Sequence, residues 1–267
     1  MIITKQQKGK CGMNNYNIND YERPSVAADV VTFGISTEES SNKRHSHIKK
    51  LKLLLIKRKE QPFAQQYALP GGFLRKGETI EQTALRELEE ETGVENIKLI
   101  NSGVYSAPDR DSRGWIISVS FLALSNTVSL KSNEASDAYN AQWFDFYYDE
   151  SNDVIRISNS DEEFEIKYEN GKALPNKLAF DHAQIIYDAF MRLKDEVIYH
   201  DIVFDLLPDL FPLSELQQIY TIITGIKEDA GNFRRKVKDK VEETDEFTSN
   251  KAHRPSKLYR RYRLKKE

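Results

Sequence analysis

The stretch GFLRKGETIEQTALRELEEETGV, Gly72 to Val94, decides the reading of this chain. It predicts a helix with signals at both ends. Thr79 stands where an N-cap is wanted, and Gln82 three residues on completes a capping box. Ile80, Ala84, Leu85 and Leu88 recur at helical spacing, which gives one apolar stripe. Gly93 stands where a left-handed C-terminal cap ends the helix. Positions i, i+3 and i+4 share a face, so Glu87, Glu90 and Glu91 project together. Carboxylates this close raise one another's pKa unless a cation intervenes. Oxygen-only ligands suit the hard ions Mg²⁺ or Mn²⁺, and Mg²⁺ commonly pairs with substrate phosphates. Arg86 can fix one carboxylate through a bidentate contact. Gly71, Gly72 and Gly77 allow a tight loop whose backbone approaches metal or phosphate. For the acidic run taken alone, a solvated glutamate face is the alternative.

Outward from this segment the pattern is strand-like. VAADVVTFGI from Val26 and IKKLKLLLIKR from Ile48 are short, apolar runs bounded by turn formers. A third run ends at Leu69-Pro70-Gly71-Gly72, and more strands are expected at 97–105, 115–124 and 142–147. Residues 153–169 read as a hairpin turning at Asn159-Ser160-Asp161. A second long helix is expected from Asp181, with Gln184 as capping-box partner and a stripe of Ile185, Ile186, Ala189, Phe190, Leu193 and Val197. Strands mixed with two long helices imply an α/β or α+β layered domain.

The whole segment resembles the Nudix box, G-x5-E-x7-R-E-U-x-E-E-x-G-U with U aliphatic. Gly72, Glu78, Arg86, Glu87, Leu88, Glu90, Glu91, Gly93 and Val94 fill its defined positions. The resemblance implies an α/β/α sandwich and cleavage of a nucleoside diphosphate linked to another moiety. It also implies that Glu87, Glu90 and Glu91, with the carbonyl of Gly71, hold metal and activate water, while Glu78 and Arg86 support the loop and helix. Glu134 is a candidate for a further acid outside the box, although an ordinary loop glutamate is the plainer reading. The run Ala107 to Trp115 resembles the ADP-ribose group of Nudix proteins. Arg110 and Arg113, with Gly72, are then candidates for contact with diphosphate or terminal ribose; a plain charged loop is the alternative. His182 follows a helix cap and is given no catalytic role.

Charge divides the chain. Lys227 to Glu267 holds 14 Lys/Arg against 8 Asp/Glu, whereas the formal net charge of all 267 residues is −3. Segregation of this kind suggests two functional parts. From Asp201 to Val241 the pattern is almost all helical. One helix is expected from Ser214, with Gln217 as capping partner, to Gly225; the next, AGNFRRKVKDKV, follows Asp229 as cap. Two short helices across a tight turn, the second basic, outline a helix-turn-helix. A polar acidic turn and the basic run LYRRYRLKK then predict a basic β-ribbon, hence a winged form. Asn232, Arg234, Arg235, Lys236, Arg254, Lys257 and Arg260 are the candidate contacts to double-stranded DNA, phosphates supplying most of the affinity. A solvated basic surface or a dimerisation module is the alternative. The words FDHAQII, PLSELQQIY, NFRRKV and RPSKLYR resemble Nudix-related transcriptional regulators of NAD metabolism, in which a winged helix follows the Nudix domain. Many such regulators have lost catalytic glutamates; here the box is intact, which favours a chemically competent domain.

The expected organisation is an N-terminal arm over 1–25, a Nudix domain over 26–200 and a mainly α winged helix-turn-helix over 201–267. A homodimer is expected because helix-turn-helix proteins usually read paired half-sites. Trp115 to Ser125 is the longest charge-free apolar stretch, about half of what a membrane span needs. Cys11 is the only cysteine, which excludes an internal disulfide and a cysteine-built zinc site. With no apolar leader at the N-terminus, a cytoplasmic protein is the expectation.

Overall fold

The computed structural model describes residues 17–39, 47–128, 130, 141–248 and 255–262. Among these, strands β1 (Ser25–Glu39), β2 (His47–Lys57), β3 (Tyr67–Ala68), β4 (Gly71–Phe73), β5 (Leu99–Tyr105), β6 (Ile116–Ser125), β7 (Ala141–Asp149), β8 (Val154–Ser158), β9 (Glu163–Glu169) and β10 (Lys172–Ala173) form one sheet. Its order is β10-β9-β8-β7-β2-β1-β6-β5, with β3 added to β2 and β4 added to β1. The β1–β6 pair is parallel, Ala28 opposite Val119, and its neighbours are antiparallel. The hairpin turn is where the sequence put it: Asn159 Oδ1 accepts from the amides of Asp161 and Glu162.

Helix α1 (Ile80–Thr92) covers one face and α2 (His182–Tyr199) the other, which is the expected three-layer sandwich. Alternation along the central strands feeds both layers. Ala28, Val30 and Leu54 meet Ala84 and Leu88 of α1. Val31, Phe33, Leu53 and Leu55 join Ile186, Phe190 and Leu193 of α2 in the larger core. Each such large apolar side chain stabilises the fold by about 1.5–3 kcal/mol on burial.

The ends of α1 follow the sequence. Thr79 Oγ1 accepts from the Gln82 amide, Gln82 Oε1 accepts from the Thr79 amide, and Gly93 takes φ 71° with its N–H on Glu89 O. The expected cap of α2 does not form. Arg110 engages the Asp181 carboxylate, and Gln184 turns to Gly171 O, the Ala173 amide and Asp188. Tertiary partners of higher charge have outcompeted the local bond.

The C-terminal part departs further from the helical expectation. A 3-10 turn, Ile202–Leu206, and a short strand β11 (Phe211–Pro212) precede α3 (Leu213–Thr224), which is entered through Pro212; Ser214 lies inside its first turn. Gln217 donates to Glu228 O instead of closing a cap. Helix α4 (Ala230–Val237) does start on Asp229, whose Oδ1 accepts from the amides of Gly231 and Asn232, but it ends earlier than expected in a 3-10 turn. Val241, expected as the last helical residue, and the acidic run EETDEF after it, expected as a turn, are strand β12 (Val241–Phe247), paired antiparallel with β13 (Lys257–Arg261). Phe211, Leu216, Tyr220, Phe233 and Val237 continue the α2-side core into this part.

Candidate functional site

Arg86 organises the acidic helix. Its Nε and Nη2 grip Glu78 at 2.7 and 3.0 Å, and Nη1 reaches Glu87 at 2.6 Å and Glu90 at 3.3 Å. Nη2 also meets the Phe73 carbonyl at 3.3 Å, tying the loop to the helix. The Arg86 guanidinium, with help from the Thr83 hydroxyl, holds the Glu78 carboxyl down at about 2. Glu91 is in the opposite condition. Burial pushes its carboxyl up to about 8, the charges of Glu87 and Asp29 add to this, and the Gly71 amide donating at 2.9 Å opposes it.

Both glycines before the helix are demanded by close approach. A Cβ on Gly71 would collide with Ala28 O and Asp29, and one on Gly72 with the Glu87 carboxylate. Oxygen donors alone converge on this loop, and a buried, proton-holding Glu91 beside two further carboxylates is relieved by a hard cation. Among the described residues, however, no group of three His, Cys, Asp or Glu is gathered around one point. Arg86 draws Glu87 and Glu90 to itself. The donor set is nonetheless of the type a hard divalent ion takes, since Gly71 O, Glu87, Glu90 and Glu91 offer oxygen alone, while in this structure Arg86 bonds Glu87 and Glu90.

A cavity of about 440 Å³ opens beside these residues, bounded among others by Asp29, Arg58, Glu91, Arg113, Phe180 and His182. Arg110 and Arg113 both line it. Arg110 is buried and bidentate to Asp181 at 2.9 and 2.7 Å, with Asp29 at 3.7 Å. Arg113 bonds Asp111 at 3.0 and 2.7 Å, and its guanidinium lies over both Phe73 and Phe180, 5.1 and 5.2 Å from the ring centroids. His182 is a structural anchor: its Nδ1 accepts from the Leu69 amide at 2.8 Å, so that nitrogen carries no proton. Burial lowers its pKa. Asp29, which accepts from Ser118, and Arg58 and Asp111 were not singled out from sequence, and Asp181 and Phe180 were marked only at the start of the second helix and not as cavity residues. They come from strand ends and loops far apart in the chain, with no local spacing to mark them. Glu134 lies outside the described residues.

The candidate nucleic-acid surface is less uniformly basic than the sequence suggests. Arg234 and Arg235 are exposed on α4, and Asn232 bonds Asp229 and Arg235. Lys236 turns back, its amine 2.8 Å from Glu228 and 4.1 Å from the Tyr220 ring centroid. On the wing, Arg260 is bidentate to Glu242, both bonds 2.9 Å, and Lys257 meets Glu243 at 2.6 Å. The expected basic ribbon is thus a basic strand laid on an acidic one. Arg254 lies outside the described residues. No helix among them is long and apolar enough to cross a membrane.

Comparison with known proteins agrees with this arrangement. The NUDIX domain model matches residues 44–186, and the model of the NrtR DNA-binding winged helix domain matches 203–261. The ADPR responsive transcriptional repressor NtrR of Acinetobacter baylyi is 32% identical over 249 residues, 92% of this chain and 85% of that protein. The ADP-ribose pyrophosphatase of Methanocaldococcus jannaschii is 42% identical over 177 residues, 66% of this chain and 78% of that protein. Shewanella oneidensis NrtR, in a crystal structure with a 27mer DNA, superposes with TM-score 0.64 at 26% identity, covering 89% of this chain and 93% of that one. The chain belongs to the Nudix family, in the branch that carries an NrtR-type winged helix after the Nudix domain.

Proposed function

We propose that this protein is a DNA-binding transcriptional repressor that responds to ADP-ribose and whose Nudix domain also hydrolyses it, to AMP and ribose 5-phosphate. The observation that carries the reading is a complete box, organised by Arg86 beside a cavity of ligand size, in a chain similar over 92% of its length to an ADP-ribose-responsive repressor. Similarity to an ADP-ribose pyrophosphatase supports the chemical half. Divalent metal at Gly71, Glu87, Glu90 and Glu91 would neutralise the diphosphate and lower the pKa of an attacking water. The protein's own part is to orient the diphosphate against that loop and to hold the acids in place through Arg86 and the Gly71 amide.

In this reading Arg234, Arg235, Asn232 and the β12–β13 wing face DNA as a homodimer on paired half-sites. A ligand shifts DNA binding only through unequal affinity for the DNA-competent and incompetent states. Hydrolysis of ADP-ribose then resets the switch. The test has two readouts on one preparation. ADP-ribose releases the protein from DNA upstream of its own or neighbouring genes, and AMP accumulates with wild type but not with Glu90→Gln. Release without turnover removes the hydrolase half; no binding to that DNA under low salt, with or without ADP-ribose, removes the repressor half.

A further inference from the structure

The chain passes from β3 to β4 through Leu69 and Pro70 and enters the acidic box at Gly71. Pro70 has no backbone donor. The other two amides go to side chains: Leu69 donates to His182 Nδ1 at 2.8 Å, and Gly71 to Glu91 at 2.9 Å. Buried amides are almost always paired, so the side chains that take these two decide where the segment lies. The Pro70 carbonyl keeps a main-chain partner, accepting from the Val30 amide at 2.9 Å.

Behind His182 stands Asp29. A ring nitrogen that accepts carries no proton, so the neutral imidazole has its N–H at Nε2, and that atom faces the Asp29 carboxylate at 3.5 Å. Asp29 lies on β1, two residues before Val31 and four before Phe33, and therefore on the sheet face that α2 covers. It is buried there, and a buried carboxylate persists through its partners. Three separate elements supply them. The Ser118 hydroxyl on β6 donates to it, Arg110 Nη2 stands at 3.7 Å, and His182 opens α2. Gly71 packs directly on the same group, since a Cβ there would come within 2.8 Å of Asp29 Oδ1. Asp29 thus reaches the segment twice, through the ring of His182 and against Gly71.

We propose that Asp29 is a positioning residue for the box: it selects the His182 tautomer whose bare Nδ1 takes the Leu69 amide, and so holds Leu69 to Gly71 against Glu91. This rests on the reading of the box as a divalent-metal site, and places part of its support on β1 and α2, outside the motif. The opposite tautomer, protonated at Nδ1, would face the Leu69 amide donor to donor and release the segment.

The test is hydrogen exchange of the peptide spanning residues 67–73 in the full chain, with Mn²⁺ titration of the same preparations. Wild type, Asp29→Ala, Asp29→Asn and Glu196→Gln are compared. Asparagine keeps an oxygen for His182 Nε2–H and loses the charge. Glu196 is a buried carboxylate in the last turn of α2, paired with Arg192, and controls for removal of a buried acid. The expected result in Asp29→Ala is exchange at least about tenfold faster over 67–73 and Mn²⁺ binding about 10–100-fold weaker. Both stay close to wild type in Asp29→Asn and Glu196→Gln. Should Asp29→Ala exchange fast throughout the chain, Asp29→Val, which suits a strand and has no acceptor, carries the same comparison. Wild-type values of both quantities in Asp29→Ala overturn the assignment. So does faster exchange with unchanged Mn²⁺ affinity, which would leave the network a packing feature. Weaker Mn²⁺ binding without faster exchange, in either Asp29 variant, traces the loss to charge and also overturns it. A wild type that binds no Mn²⁺, with 67–73 still exposed in Asp29→Ala, sinks the metal reading of the box and keeps the hold of Asp29 on the segment.

Discussion

Lys49 on β2 and Glu215 on α3 meet at 2.8 Å, and both side chains are largely withdrawn from water. Lys49 also donates to Thr37 at 2.9 Å. The pair pins the winged part to the central sheet, on the same strand whose other end leads to Lys57 and Arg58 in the cavity. Removing one partner of such a pair strands the other charge. Glu215→Gln is expected to lower stability by about 1–3 kcal/mol, below the range for full burial because water still reaches the site. Urea unfolding of the full chain checks this; an unchanged midpoint would show that the contact is ornamental.

Arg86 supports three glutamates at once, so its loss should be felt through metal rather than through folding. Arg86→Ala is expected to reduce Mn²⁺ affinity or turnover by about 10–100-fold, as is common when a group that orients ligands is removed. Mn²⁺ titration and AMP release report this directly. A variant with wild-type metal affinity and rate would mean that the glutamates orient themselves.

His182 makes stability fall in acid. Its folded pKa is lowered, so between that value and the unfolded value of about 6.5 the unfolded chain binds the extra proton. Stability therefore rises with pH across this window and is lost as pH falls below about 6.5. His182→Gln, which can still accept from the Leu69 amide, should flatten the slope between pH 5 and 7. Thermal melts at a series of pH values settle it, and a slope equal to wild type would put the titration elsewhere.

Neutralised cations on the wing imply that DNA affinity is restrained. Glu242→Gln frees Arg260 from its bidentate partner and is expected to tighten DNA binding several-fold, with a salt slope steeper by about one. Arg234→Ala with Arg235→Ala should weaken binding and reduce the slope by about two. Gel-shift titrations at several salt concentrations measure both. Weaker binding by Glu242→Gln would show that the ion pair shapes the wing instead of shielding it.

What could be read from sequence was what local rules control. Helix α1 announces itself because Thr79, Gln82 and Gly93 act within a few residues of where they stand. The hairpin at Asn159 and the cap at Asp229 are legible for the same reason. Asp181 failed as a cap because Arg110, 71 positions away, takes its carboxylate. Strand β12 escaped notice because VEETDEF has no apolar alternation; its side chains are satisfied by charges on β13 that only the fold brings opposite. The cavity is legible on the side of the acidic box, which is one contiguous motif, and illegible on its Arg58–Phe180–Arg113 side, which three separate segments assemble.

Helix α2 begins where Phe180 and His182 border the cavity, and 15 residues beyond His182, a rise of about 22 Å, its Val197 rests among Leu216, Tyr220 and Phe233. Interiors packed this densely yield little under compression. The helix thus forms one continuous rigid member between the cavity and the base on which α3 and α4 are seated.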